Sequence, residues 1–141
     1  SAVVGLVTHT DVPMVGRFAT SDPRLDRLEK NLVWSGRSNF HSIPTDCPQR
    51  DERIGWAADI ALYAPAAIFD MDLAAFLTKF TGDLEDAQND KGAFPHFAPT
   101  APGLGGGAYG WGDAGMMLPW LLYETYGDVR VLERRYAAMK R

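Results

Sequence analysis

Four carboxylates, two arginines, a cysteine and a tryptophan fall within the fifteen positions Thr45–Asp59. Cleavage of a glycosidic bond needs one carboxylic acid to protonate the leaving oxygen and one carboxylate to handle the nucleophile. Asp46, Asp51, Glu52 and Asp59 could supply such groups, with Arg50 and Arg53 available to orient them or depress a neighbour's pKa. A general acid keeps its proton near neutrality only in an apolar or like-charged setting. Glu52, beside Asp51 and within reach of Trp56, fits that description, which leaves Asp51 as a structural or pKa-tuning neighbour. A structural Asp/Arg network tying two helices together accounts for the same spacing at least as well. Either way the stretch is costly, because desolvated charges destabilise a fold by several kcal/mol unless paired.

Trp56 and Trp111 each stand where a helix is expected to begin just after a loop. An aromatic face at such a mouth suits stacking on the apolar C–H face of a sugar ring, although core packing is the commoner use of a single indole. Asp113 follows Trp111 at the first turn of its helix, where the helix dipole alone accounts for an acid. His41 and His96 lack ligand-like spacing and are read as loop hydrogen-bonding residues. Cys47 has no histidine in a recognisable pairing and is read as a packed thiol. The Gly103–Gly107 run lacks the lysine and helix of a phosphate loop.

Helices must position these groups. Ser21-Asp22-Pro23 is a helix start, and Leu25, Leu28, Leu32 and Val33 recur at helical spacing, predicting a helix over 23–38. Pro44 and Pro48 keep the start of the charged stretch irregular, between apolar anchors at Ile43 and at Ile54 through Leu62. Residues 57–69 are apolar nearly all round, which predicts a buried helix kinked or shortened at Pro65. Asp70-Met71-Asp72 caps a helix carrying Leu73, Phe76, Leu77, Phe80 and Leu84 on one face. Residues 92–110 form a long irregular segment of the kind that is functional or disordered, and Phe94, Phe97 and Tyr109 favour function. A helix follows from Trp111 to Tyr126, ended by Gly127, and Asp128 caps a last one with Val131, Leu132, Tyr136 and Met139. Residues 2–18, β-branched at the start, read as one strand or two short ones, or as an unstructured end.

The bulk numbers set limits. Hydrophobic residues make up 46% and charged residues 23% of 141 positions, as in ordinary globular domains. A net charge of -4 without a basic run argues against nucleic acid or an anionic membrane as partner. The single cysteine excludes an internal disulfide and makes a cysteine-built zinc site improbable. Ser1 opens directly into Ala2-Val3-Val4, and the chain stops at Met139-Lys140-Arg141 inside an expected helix. Both ends lead us to expect a piece of something larger, with its compartment open.

The run Ile43-Pro44-Thr45-Asp46-Cys47-Pro48-Gln49-Arg50-Asp51-Glu52-Arg53-Ile54-Gly55-Trp56, followed by Asp59, resembles the signature of bacterial α-L-rhamnosidases of glycoside hydrolase family 78. Phe18–Pro23, Asn31-Leu32-Val33-Trp34, Trp111-Gly112-Asp113-Ala114, Leu118-Pro119-Trp120 and Tyr126-Gly127-Asp128 extend the resemblance over essentially the whole chain.

That resemblance implies an all-α fold: about five helices forming the N-terminal part of an (α/α)6 barrel, preceded by a short β segment. Residues 18–141 would be barrel, and residues 1–17 the tail of a preceding β-sandwich domain or a linker. The implied reaction is hydrolysis of terminal α-L-rhamnose with inversion, without metal or cofactor. By position, Glu52 matches the general acid; Asp46, Arg50, Trp56 and Asp59 match residues that hold rhamnose; Trp111 matches a further aromatic wall, and Asp113 is a weaker transfer. Ala57-Ala58 departs from the small polar and glycine residues common there, which alters local packing. The family's general base is a glutamate beyond position 141, so the chain alone is expected to be silent on rhamnosides and to expose apolar faces. Its implied partners are rhamnose-containing glycosides, the remaining barrel and accessory β-sandwich domains. Two alternatives stay open. One is another (α/α)6 carbohydrate-active enzyme, such as a lyase using Tyr63 and His96; the other is a non-catalytic sugar-binding or scaffold module.

Overall fold

The computed structural model describes residues 2–100 and 105–141. Among them are five helices: α1 (Pro23–Asn39), α2 (Ala57–Ala67), α3 (Ala74–Asp86), α4 (Ala114–Tyr126) and α5 (Val129–Met139). Asp22 caps α1, its Oδ1 accepting the Arg24 N–H at 2.9 Å, with Pro23 entering the first turn. Asp128 does the same for α5 through the Arg130 N–H at 3.1 Å. Gly127 ends α4 in the left-handed conformation, φ 68°, donating its N–H to Tyr123 O at 2.9 Å. Glycine enters that region without the steric penalty of a Cβ.

Helix α4 is the centre, with α2, α3 and α5 all packed against it. Helix α3 supplies the densest face: Leu73, Phe76, Leu77, Phe80 and Leu84 are all buried. Helix α2 contributes small side chains instead, burying Ala57, Ala61, Ala64 and Ala67 with Ile60, so its backbone lies close to its neighbours. Leu62 and Phe69 stay outside, so the helix is not buried all round as its composition predicted. It ends at Ala67, two residues beyond Pro65, where the missing N–H no longer interrupts a long ladder. Across the bundle, Arg135 of α5 pairs with Glu85 of α3, and Gln88 Nε2 donates to Ala138 O at 2.9 Å.

Helix α1 covers residues 23–39 as its pattern predicts, but Leu25, Leu28 and Leu32 remain about half exposed; only Val33 reaches the core and only Gly36 is fully buried. Met116, Met117 and Trp120 of α4 are exposed as well.

The strand expected within residues 2–18 does not form a ladder. Met14 makes a single bridge to Met71, flanked by Asp72 N–H to Pro13 O at 2.9 Å and Val15 N–H to Asp70 O at 2.8 Å. Val3, Val4, Leu6 and Val7 are exposed, because among the described residues no strand lies alongside to satisfy their backbone and cover them. Strand structure occurs instead where a loop was expected: β1 (Phe40–His41) pairs antiparallel with β2 (Ile43–Pro44), Phe40 opposite Pro44. Ser42 turns between them at φ 66°. This hairpin buries Phe40 and folds the chain back from α1 into the charged stretch. No described helix is long and apolar enough to cross a membrane.

Candidate active site

The chain leaves β2 at Thr45, whose N–H and hydroxyl both donate to Asn39 O, at 2.7 and 2.9 Å. That anchor fixes the entry to the charged loop. Ile54, eight residues beyond Asp46, closes it: Asp46 N–H donates to Ile54 O at 3.2 Å, and Ile54 N–H to Asp46 Oδ1 at 3.3 Å. Between these points Glu52 N–H donates to Arg50 O at 2.9 Å and Arg53 takes a left-handed φ of 52°, a tight reversal. The outcome is that side chains distant along the loop meet. One ligand atom each of Asp46, Cys47 and Glu52 lies within 4.8 Å of the others.

Both oxygens of Glu52 are engaged. Trp56 Nε1–H donates to Oε1 at 2.8 Å, and the Arg50 guanidinium pairs with Oε2. Asp51 was expected to be the like-charged neighbour of Glu52, but its side chain is fully exposed and faces only Arg53, at 3.6 Å. Asp46 takes that place, because the reversal at Arg50–Arg53 turns adjacent side chains in opposite directions.

Burial pushes the Asp46 carboxyl up, but hydrogen bonds with the Cys47 and Glu52 side chains and with backbone N–H groups outweigh it. Asp46 is thereby held below the usual carboxylate range. The Cys47 thiol is pushed up, first by its hydrogen bond to Asp46 and then by burial, with Arg50 opposing. A thiol kept protonated is a donor, not a nucleophile. It is also a poor metal ligand, and the adjacent Arg50 disfavours a cation among these three groups.

Asp59, on the first turn of α2, joins Asp46 in lining a cavity of about 530 Å³ with Asn39, Thr45 and Tyr63. Much of its surface is exposed, yet desolvation first, and then the Asp46 and Glu52 charges, push its carboxyl above the ordinary value. A carboxyl with a raised folded-state pKa contributes stability that is present below the unfolded value and lost as pH rises through the folded one. Asp59→Asn is therefore expected to raise the melting temperature modestly at pH 7, because solvent screens so exposed a carboxyl. Melting curves from neutral pH down toward the ordinary carboxylate range check this: the gain shrinks as the pH falls, because Asp59 takes up its proton more readily in the folded chain.

The aromatic residues gather beside Glu52. Trp56, at the N-cap of α2, lies 5.0 Å from Phe97 and 6.3 Å from Trp111, both near edge-on, and Trp111 is 6.3 Å from His96. Trp111 itself precedes its helix, which begins at Ala114 and not at the indole, because residues 109–113 form turns. Asp113 stays apart from the acidic cluster: its Oδ2 accepts the Gly110 N–H at 2.9 Å and secures the turn that presents Trp111. His96 Nε2 accepts the Ala108 N–H at 3.3 Å, and His41 Nε2 contacts Ser38 O at 3.1 Å, the loop roles expected of both.

Phe97 is the site residue that spacing did not single out. Residues 95–98 run antiparallel to Gly55–Ala57, with Ala57 N–H donating to His96 O at 2.9 Å and Ala98 N–H to Gly55 O at 3.0 Å. Phe94, just before this segment, lies in the core against Gly115 of α4, while Tyr109 stands almost wholly in solvent. Part of the Gly103–Gly107 run lies outside the described residues.

Helical hairpins presenting clustered acids, a guanidinium and indoles at one end define a domain built like the helical glycosidases. The family model described as the bacterial alpha-L-rhamnosidase 6 hairpin glycosidase domain matches residues 13–141, and the chain belongs to that family. An alpha-L-rhamnosidase of Streptomyces avermitilis is 50% identical over 132 residues, 94% of this chain and 13% of the relative. The crystal structure of a Streptomyces avermitilis alpha-L-rhamnosidase complexed with L-rhamnose superimposes with a TM-score of 0.90 at 48% identity, over 95% of this chain and 13% of that one. The alpha-L-rhamnosidase from Dictyoglumus thermophilum gives 0.91 at 40% identity, over 96% of this chain and 15% of that one. The chain thus spans a small part of the proteins it resembles.

Proposed function

We propose that this chain is the N-terminal portion of the (α/α)6 catalytic barrel of an α-L-rhamnosidase, acting on terminal non-reducing α-L-rhamnose with inversion. Glu52 is the general acid that protonates the departing glycosidic oxygen. Asp46, Arg50, Trp56 and Asp59 hold the rhamnose, Trp111 adds an aromatic wall, and Asp113 supports that wall through its turn. The general base comes from sequence outside these residues, as does the rest of the barrel. Residues 1–17 are the tail of a preceding β-sandwich domain or a linker, and the half-exposed leucines of α1 are covered by the remaining helices.

The observation that carries the reading is the convergence of Trp56 Nε1, Arg50 and Asp46 on Glu52, in a chain of this family. Arg50 can leave Glu52 for a sugar hydroxyl, because its own side chain is largely exposed. A lyase is disfavoured: Tyr63 packs beside Phe40 and Gly36, whereas His96 lies against Trp111, so the two do not form one acid–base pair.

The test is rhamnose release from an aryl α-L-rhamnoside by the full-length chain that carries this sequence, followed by NMR. Inversion requires β-rhamnose as the first-formed anomer. The α anomer appearing first rejects the inverting mechanism, and rhamnose binding without turnover indicates a sugar-binding module.

A further inference from the structure

The indole that holds Glu52 must itself be held. Trp56 follows an irregular loop, and its backbone N–H reaches only Ile54 O, at 3.1 Å. Its side chain is oriented from the other side of the site, by residues 95–98. Two backbone hydrogen bonds clasp that segment to Gly55 and Ala57, at 3.0 and 2.9 Å respectively, which leaves the Phe97 ring edge-on to the indole, centroids 5.0 Å apart at 65°. The clasp needs Gly55, since a Cβ there would lie 2.4 Å from Ala98 O.

We infer that Phe97 is a positioning residue for the general acid: its ring sets the plane of the Trp56 indole, and the indole N–H fixes Glu52 Oε1. Phe97 does not touch the reacting atoms in this arrangement and acts only through Trp56. The inference rests on the proposed role of Glu52. Its physical basis is angular, because an N–H···O bond weakens steeply once the donor swings out of line. An edge-to-face partner opposes that swing without competing for the N–H.

The experiment compares pH profiles of kcat/KM on an aryl rhamnoside for the full-length enzyme. A general acid sets the alkaline limb, where rate is lost as its proton is lost. A donor to a carboxylate favours the ionised form, so a loosened indole makes Glu52 keep its proton to higher pH. Phe97→Ala is expected to lower kcat about ten- to a hundredfold through misplacement of the acid, with the alkaline limb moved upward. Phe97→Tyr, which keeps the ring, restores both. Trp56→Phe shifts the limb in the same sense, and adding Phe97→Ala to it moves the limb no further, as expected of two residues acting through one bond.

A rate loss in Phe97→Ala with the limb unmoved, or no loss at all, overturns the inference. If that variant does not fold, Phe97→Leu, which fills most of the volume without an aromatic edge, is read in the same way. Failure of the underlying assignment looks different: an alkaline limb that persists in Glu52→Gln rejects Glu52 as the acid whatever Phe97 does.

Discussion

Glu52→Gln in the full-length chain is expected to lower rhamnoside hydrolysis by about 10²- to 10⁴-fold, the contribution typical of a positioned general acid, while rhamnose still binds. The amide preserves size and can still accept the Trp56 N–H, which in the native chain lies 2.8 Å from Glu52 Oε1. It carries no ionisable proton to deliver and no charge to pair with Arg50. Binding survives because the proposed sugar contacts belong to Asp46, Arg50, Trp56 and Asp59. Turnover assays and calorimetric titration with L-rhamnose check the two halves separately. Lost binding together with lost turnover would make Glu52 a ligand-holding residue instead.

Gly55→Ala is expected to have the largest effect on stability. The added methyl would lie 2.4 Å from Ala98 O, 3.1 Å from the Phe80 ring and 3.4 Å from Ile43 Cβ. Neither backbone nor buried ring can give way cheaply, so the strain of overpacking applies, about 1–3 kcal/mol. The relaxation open to the chain is to part residues 95–98 from Gly55–Ala57, which also releases the Trp56 indole. A lowered melting temperature should therefore accompany lost activity and a changed tryptophan emission. An unchanged melting temperature would mean that the two segments are not in register as described.

Much of the frame was legible because its signals are local. Asp22-Pro23, Gly127 and Asp128 act at helix ends within one turn, and all three mark boundaries the structure keeps. The α3 face was legible because one side of that helix meets the core along its whole length. For α1, periodicity predicted the helix but not what covers its leucines, since burial depends on elements that periodicity does not encode. The hairpin at Phe40–Pro44 went unread because strands of two residues are too short to show alternation.

Within the site, residue types were readable and neighbours were not. Adjacency in sequence paired Glu52 with Asp51; the reversal at Arg53 separates them and brings Asp46 in through its hydrogen bonds to Ile54. Phe97 carries no motif, and its place beside Trp56 is created by a long-range bridge that no local pattern announces. Cys47, expected as a packed thiol, is half-buried, and the neighbouring Asp46 holds its thiol toward the protonated form.

The claim that Glu52 protonates the leaving oxygen is tested most directly by comparing Glu52→Gln with the native enzyme across aryl α-L-rhamnosides of graded leaving-group acidity. An activated phenol departs without a proton, whereas a poor leaving group requires one. The account predicts that Glu52→Gln retains most of its rate on the most acidic phenol and loses progressively more as the phenol becomes less acidic. An equal loss across the whole series would contradict it.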